Sequence, residues 1–283
     1  MDVVLNACDE HFLTPYVYPD WWKEDNIWRQ FISLNFIVDI GGALLYLSMA
    51  TFSYFVIFDK KYLNHPHILK NQIRREITYA LSSIPGMGIP TCLCFLLEVR
   101  GYSKLYDSVD ESKYGWSLIA CSAIAFLLFT DCLIYWIHRG LHHRLVYKHL
   151  HKPHHWWKVP TPFASHAFHP IDGFLQSSPY HIYVFLFPMH KYLYMILYVL
   201  VNVWTVSIHD GHFRVPSSLK PIINGAAHHL DHHLFYNYNY GQYTTFWDRL
   251  GGSFREPSGF KIDYTSEKVQ RAAATTKNNG KDD

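Results

Sequence analysis

The histidines of this chain are concentrated in one region and are regularly spaced. Seventeen of the 20 lie between His138 and His233. Three sets stand out there: His138 and His142; His151, His154 and His155; and His229, His232 and His233. Residues three and four apart share one face of a helix, so helical backbone would present each set of imidazoles together. A tract that only buffers protons or scavenges metal lacks such repeated offsets. The spacing therefore predicts a built metal site.

The number of imidazoles predicts two metal ions rather than one. A structural zinc site takes four protein ligands and a catalytic one takes three. The three sets supply at least eight, and His209 adds another. Imidazole suits iron, copper, zinc and nickel, whereas magnesium and calcium need carboxylates.

Neighbouring polar residues are expected to support these ligands by accepting the second ring N–H of each histidine. Asp131 precedes His138 by seven residues, on the same face of a continuous helix, and Asp231 lies inside the third set. Asp172, Asp210 and Asp248 are also close in sequence. His143 and His228 adjoin the sets, and the spacing leaves open whether they are ligands or neighbours of ligands.

The composition is that of a membrane protein with a large aqueous face. Charged residues make up 17% of the chain, below the quarter that is typical of soluble domains. The net charge is +2 and the basic residues form no single stripe, which argues against a nucleic-acid partner. None of the five cysteines forms a C-x-x-C motif, which argues against a thiolate zinc site.

Long uncharged runs predict an all-α, polytopic membrane protein with about four transmembrane helices or helical hairpin arms and a cytosolic, histidine-rich helical cap. The expected organisation is a lumenal or interfacial lead-in at 1–30, three transmembrane helices at 31–137, a catalytic region at 138–260 with an embedded membrane hairpin at 174–208, and a disordered tail at 261–283. Pro85 and Pro90 predict a kinked or broken second span. Basic residues between the first two spans place that loop, and with it His138, on the cytosolic side.

Three motifs resemble the histidine boxes of the fatty acid hydroxylase superfamily of membrane di-iron oxygenases: H-R-G-L-H-H, H-K-P-H-H and H-H-L-D-H-H. The segments T-P-F-A-S-H-A-F-H-P-I-D-G (161–173) and N-Y-G-Q-Y-T-T-F-W-D-R (239–249) are similar to those of its sterol branch, the sterol 5(6)-desaturases. The resemblance extends over nearly the whole chain, from Thr14 to Gly251.

This resemblance implies an enzyme of the endoplasmic reticulum membrane that converts lathosterol to 7-dehydrocholesterol in sterol biosynthesis. The implied cofactor is a pair of non-haem iron ions, with O2 as co-substrate and electrons from NAD(P)H through cytochrome b5. The implied partners are a delta-7 sterol, cytochrome b5 and the lipid bilayer. Carried onto this sequence, the implied ligands are His138, His142, His151, His154, His155, His209, His229, His232 and His233. His169 matches a family position that more often supports or lines the site.

Aromatic residues near the boxes are predicted to wall the substrate pocket, although ordinary packing explains each of them equally well. They are Trp136, Trp156, Trp157 and Phe163. Within the superfamily, a sterol C-4 methyl oxidase or a fatty acid hydroxylase is the alternative function. A polytopic metal transporter would place ionisable residues inside its spans, and these spans hold almost none. A zinc hydrolase would carry H-E-x-x-H, which does not occur here.

Overall fold

Apolar helices make up most of the architecture. The computed structural model describes residues 1–109, 114–211, 215–216 and 218–257. Helices of seven or more residues are numbered in chain order: α1 (Asp2–Cys8), α2 (Ile27–Val56), α3 (Gln72–Val99), α4 (Gly115–Leu141), α5 (Pro170–Leu186), α6 (Lys191–His209) and α7 (Ala226–Phe235). Four of these, α2, α3, α4 and α6, are long and apolar enough to cross a membrane. The chain is an all-α, multi-pass membrane protein, as the sequence predicts.

The helices pack as a bundle around α5. Helix α2 lies beside α3, and α5 packs against both α3 and α4. The described strands are two residues each: β1 (Leu105–Tyr106) pairs in parallel with β2 (Met189–His190) at the turn between α5 and α6. The fully buried side chains of Leu34, Phe126 and Val184 form part of one core. The segment predicted as a hairpin, 174–208, is occupied by the two helices α5 and α6.

Helix α3 continues through Pro85 and Pro90, so the alternative of a broken second span is wrong. Glycine at two nearby positions allows close packing on both sides of α3. A Cβ atom at Gly86 would lie 2.8 Å from Pro170 of α5, and one at Gly88 would collide with the carboxylate of Asp39 on α2. Packing of this kind stabilises a helix that has lost hydrogen bonds at proline.

The lead-in is better ordered than its polar composition suggests. Helix α1 places Leu5 in the core of the bundle with 1% of its surface exposed. The carboxylate of Asp9 forms an ion pair with Arg29 at 2.7 Å, and both side chains are buried. Asn26 caps α2 by accepting from the main-chain N–H of Trp28 at 3.0 Å. The predicted disordered tail at 261–283 lies outside the described residues.

A short 3-10 segment, Pro162–His166, enters the bundle and packs against α2, α3 and α6. Tyr46 donates to the carbonyl oxygen of Phe163 at 2.8 Å. The buried carboxylate of Glu76, near the start of α3, accepts hydrogen bonds from the Thr161 hydroxyl and, at 2.7 Å, from Gln72 Nε2. These bonds fix the chain that follows the second histidine set against the ends of the membrane helices.

Candidate metal centre

Nine histidines converge in two adjacent groups at one end of the bundle. One group contains His138, His142, His151, His155 and His232, and the other contains His154, His209, His229 and His233. Within each group, one ring nitrogen from every member lies within 4.8 Å of all the others. The nine are the residues that the sequence predicts as ligands, and each group draws on more than one of the three sets.

Several helix ends meet to form these groups. His138 lies in the last turn of α4, and His142 caps its end. His209 is the last residue of α6, and α7 carries the third set, with its histidines buried on one face. The second set departs from the predicted regular helix, because His154 and His155 lie in a short 3-10 turn, His154–Trp156.

The Nδ1–H groups of five ligand candidates are held by fixed acceptors. His138 donates to the carbonyl oxygen of Tyr240 at 2.9 Å, and His209 donates to the carbonyl oxygen of Thr205 at 2.7 Å. His232 donates to the carbonyl oxygen of Tyr238 at 2.7 Å, and His154 donates to the carbonyl oxygen of Ala167 at 3.4 Å. His151 donates instead to the carboxylate of Asp172 at 2.8 Å. A neutral imidazole with a proton on Nδ1 has only a lone pair on Nε2. These five rings therefore present bare Nε2 atoms to the two groups.

The Nε2 atoms of neighbouring histidines are separated by the distance expected for two ligands of one cation. Nε2 of His138 is 3.1 Å from Nε2 of His151, and Nε2 of His209 is 3.4 Å from that of His154. Two lone pairs cannot hydrogen-bond to each other. Nitrogen atoms that bind one metal ion at about 2.1 Å and at right angles lie about 3 Å apart. The buried Nε2 of His232 also has no hydrogen-bond partner among the described residues. The donor set thus fits two imidazole-bound metal ions.

Burial keeps these imidazoles neutral and available to metal. For His154, His155 and His229, loss of hydration and the neighbouring histidines lower the pKa well below its usual 6.5. The same causes act on His232 and His233, whose pKa values are likewise well below 6.5. Protons therefore compete weakly with a metal ion for the lone pairs.

Three histidines predicted beside the ligand candidates, His143, His228 and His169, lie outside both groups. His143 is exposed, and its Nδ1 accepts from the main-chain N–H of Leu145 at 3.4 Å. His228 is buried beside Phe254, and burial lowers its pKa to about 4. His169 caps α5 by accepting from the N–H of Ile171 at 3.3 Å, and thereby supports the helix that carries Asp172.

The carboxylates divide into one direct partner of a ligand and others that hold the surrounding loop. Asp172 is fully buried and bonds His151. Asp131 does not contact a ligand histidine in this way: it accepts from the main-chain N–H groups of Tyr243 at 2.8 Å and Thr244 at 3.2 Å, and from the Thr244 hydroxyl at 2.5 Å. Asp131 therefore holds this loop against α4 about two turns before His138. Asp231 is buried on α7.

A second carboxylate, that of Asp248, also fixes the loop held by Asp131. Asp248 accepts from the main-chain N–H groups of Tyr240 and Gly241, each at 2.8 Å. Tyr240 in turn supplies the carbonyl oxygen that orients His138. The sequence signal for this loop was the family-like segment at 239–249, but its function as an anchor of a ligand follows only from the fold.

A cavity of about 360 Å³ lies within the bundle and ends one side chain away from the metal centre, at Phe168. Its lining on α3 extends from Ile84 to Phe95, which corresponds to about 16 Å of helix. At the end near the histidines, it is lined by Phe168, whose ring stacks on His154 with 4.3 Å between centroids. Gly41 also lines it and is exposed on the outer face of α2, with open space where a side chain would be. Gly41 therefore lies both on the cavity wall and on the exposed surface of α2.

None of the four aromatic residues predicted as pocket walls lines this cavity. Trp136 and Trp156 are 50% and 43% exposed. Trp157 and Phe163 are buried in a core between α2, α3 and the entering 3-10 segment. Sequence proximity to the histidine boxes placed them at the right end of the molecule, but membrane helices supply the cavity wall.

Comparisons with known proteins agree with this arrangement. The fatty acid hydroxylase family model matches residues 123–253, a range that contains all nine histidines. Lathosterol oxidase of Mus musculus is 62% identical over 92% of this chain and 87% of its own length. The chain belongs to the sterol 5(6)-desaturases of the fatty acid hydroxylase family.

Other members of this family are similar over most of their length. Lathosterol oxidase of Homo sapiens is 58% identical over 99% of the chain and 95% of its own length. A delta(7)-sterol 5(6)-desaturase of Aspergillus fumigatus is 54% identical over 86% of the chain and 68% of its own length. No solved structure matches the chain.

Proposed function

We propose that this protein is a delta-7-sterol 5(6)-desaturase that converts lathosterol to 7-dehydrocholesterol at a histidine-bound di-iron centre. The observation that carries the proposal is the pair of imidazole groups beside a cavity enclosed by the membrane helices. The names of the relatives support the choice of sterol and of bond. The set of nitrogen ligands is compatible with iron.

The reaction removes one hydrogen atom from each of two adjacent carbons. One sterol molecule, one O2, two electrons and two protons give the desaturated sterol and two molecules of water. Two iron ions, when bound, supply the reduction of O2 and the oxidising power for unactivated C–H bonds, which side chains alone cannot provide.

The chain itself supplies geometry and a dry environment. Five fixed acceptors set the tautomers of ligand histidines, so little rearrangement is needed when metal binds. The buried rings exclude water from the centre, and water exclusion limits side reactions of an oxidising site. The apolar cavity holds the hydrocarbon beside the centre, and the lining residue Phe168 stacks on His154.

Orientation in the membrane follows from charge. Basic residues are concentrated at the end of the bundle that carries the histidines, including the Lys60–Asn64 turn and the surface around Arg144. An excess of Lys and Arg marks the cytosolic side. We therefore place the histidine-rich cap, within residues 138–260, on the cytosolic face of the endoplasmic reticulum membrane.

The same surface fits an acidic electron donor, for which cytochrome b5 is our candidate. Arg144, Lys148 and Lys152 are exposed beside the second set of histidines. Arg139 is instead bound to the Tyr135 hydroxyl and to the carbonyl oxygen of Gly251, each at 2.7 Å. Charge reversal at Arg144 and Lys152 should therefore slow electron transfer from cytochrome b5 most strongly at low salt. Transfer rates that do not respond to reversal or salt would exclude this docking surface.

Product analysis tests the function. Membranes that contain the protein are supplied with lathosterol, O2, NADH and cytochrome b5, with and without an iron chelator, and the sterols are analysed by mass spectrometry. A product two mass units lighter, lost on chelation, supports the desaturase. A product sixteen units heavier would instead indicate the hydroxylase alternative, and absence of any product from lathosterol would reject the proposed substrate.

A further inference from the structure

One wall of the cavity is polar although most of its lining is apolar. His166, Asn202, Thr205 and Gln242 line this wall. His166 Nε2 donates to Asn202 Oδ1 at 3.0 Å, and the Ser165 hydroxyl donates to His166 Nδ1 at the same distance. Gln242 Nε2 donates to the Thr205 hydroxyl oxygen at 3.3 Å. Polar groups inside a membrane bundle are costly unless they are hydrogen-bonded.

Asn202 lines the cavity and retains hydrogen-bonding capacity. An amide side chain has two donor hydrogens and two acceptor lone pairs. Among the described residues, one hydrogen is used on the carbonyl oxygen of Tyr198 at 2.7 Å, and one lone pair is used by His166. One donor and one acceptor remain. A hydroxyl group, which both donates and accepts, matches that pair.

The polar wall lies close to the metal centre along α6. Asn202, Thr205 and His209 stand at i, i+3 and i+7, which is one face of the helix. Thr205 precedes His209 by about 6 Å of helical rise, and Asn202 precedes it by about 10 Å. Thr205 also orients the ligand directly, because its carbonyl oxygen accepts from His209 Nδ1.

The chemistry of the substrate matches this placement. In a delta-7 sterol, only the ring carbons C-3 and C-4 separate the hydroxyl oxygen from C-5. A hydroxyl group held at Asn202 therefore keeps C-5 and C-6 within a few ångströms of Asn202, in the half of the cavity that lies towards the metal centre. The cavity continues away from the centre past Val38 and Phe95 to Val4 of α1, and this apolar part suits the hydrocarbon side chain.

We propose that Asn202, positioned by His166, binds the 3-hydroxyl group of the sterol, selects 3-hydroxysterols and sets which carbon atoms face the metal centre. This inference rests on the proposed function. Thr205 and Gln242 complete the same polar wall.

Selectivity for the hydroxyl group tests the inference. The kcat/KM of the iron-loaded wild-type protein is measured with lathosterol and with its 3-deoxy analogue, 5α-cholest-7-ene. A lost partner for a buried polar group reduces efficiency by about 5- to 150-fold, so the wild type should prefer lathosterol by a factor in that range. Asn202→Leu should lower the preference to within about 3-fold, mainly through slower turnover of lathosterol.

Asn35→Leu is the matched control. Asn35 lies on α2, outside the cavity lining, and its Nδ2 donates to the Phe31 carbonyl oxygen at 2.8 Å, as Asn202 does to Tyr198. The control should retain the wild-type preference. Equal losses with both substrates in Asn202→Leu, or a lost preference in Asn35→Leu, would overturn the inference.

Two measurements keep the outcomes separate. Iron content per chain shows whether Asn202→Leu retains its fold and its centre. If that variant does not fold, the wild type decides alone, because equal efficiency with the 3-deoxy sterol overturns hydroxyl recognition. A wild type that gives no product from lathosterol contradicts the proposed function itself, which is a different result.

Discussion

Replacement of Asp172 by asparagine should weaken one metal position and spare the other. Asp172 is fully buried, and its two oxygens bind His151 Nδ1 and Gln176 Nε2, each at 2.8 Å. Asparagine keeps the size of the side chain and removes its charge. Loss of such a partner costs a metal site about 10- to 100-fold in affinity, or about 1.4–2.8 kcal/mol.

The two groups of ligands make this prediction selective. His151 belongs to the group of five, and no member of the group of four uses Asp172 as its acceptor in the described hydrogen bonds. At limiting free iron, the variant should therefore bind close to one ion per chain where the wild type binds two. Competition with a chelator, followed by iron analysis of the purified protein, measures both affinities.

A conservative control separates charge from packing. Gln176→Leu removes the second bond to Asp172 but leaves the carboxylate on His151, so its iron affinity should fall less than that of Asp172→Asn. If Asp172→Asn binds two ions with wild-type affinity, or loses both equally, the assignment of Asp172 to one metal position is refuted.

Three further predictions follow from the site, the buried histidines and the cavity. His154→Ala and His232→Ala should each abolish turnover without preventing membrane insertion, since neither residue lies in a span; activity in both variants would contradict the ligand assignment. The pKa values of the buried box histidines lie well below 6.5, so the unfolded chain binds more protons than the folded chain as the pH falls below about 6.5. The unfolding midpoint of the metal-free protein should therefore drop between pH 7 and pH 5.5, and each such histidine should contribute about 1.4 kcal/mol per pH unit. A constant midpoint would show that these rings are not buried as neutral bases. Gly41→Leu should raise the KM for sterol several-fold with kcat unchanged, whereas Gly41→Ala should have little effect, and equal KM values in kinetic assays would place the sterol entrance elsewhere.

The convergence of the nine histidines could be predicted from sequence because metal binding imposes its own spacing. Imidazoles at i, i+3 and i+4 meet at one site, where the residues at i and i+4 of the second and third sets join one group and the residue at i+3 joins the other. The long apolar runs likewise predicted the spans, since a bilayer requires about 20 apolar residues. His209 carried no local spacing signal, and only the family resemblance identified it.

The supporting residues could not be predicted in the same way because they depend on contacts between distant segments. Asp131 shares a helix face with His138, yet it bonds a loop that comes 112 residues later. The cavity lining is drawn from helices along the whole chain, and the aromatic residues beside the boxes are not part of it. Proximity in sequence therefore does not identify which residues contact a metal site, even when one helix carries both the residue and a ligand candidate.

The acceptors of the ligand N–H groups have a consequence for how this centre can vary. Four of the five are main-chain carbonyl oxygens, at Tyr240, Thr205, Tyr238 and Ala167. A substitution at any of these positions changes a side chain and leaves the acceptor in place. Asp172 alone among the five accepts through its side chain. Evolution or design can therefore adjust the electronic properties of the centre by a point mutation there, while the remaining four acceptors change only with the backbone.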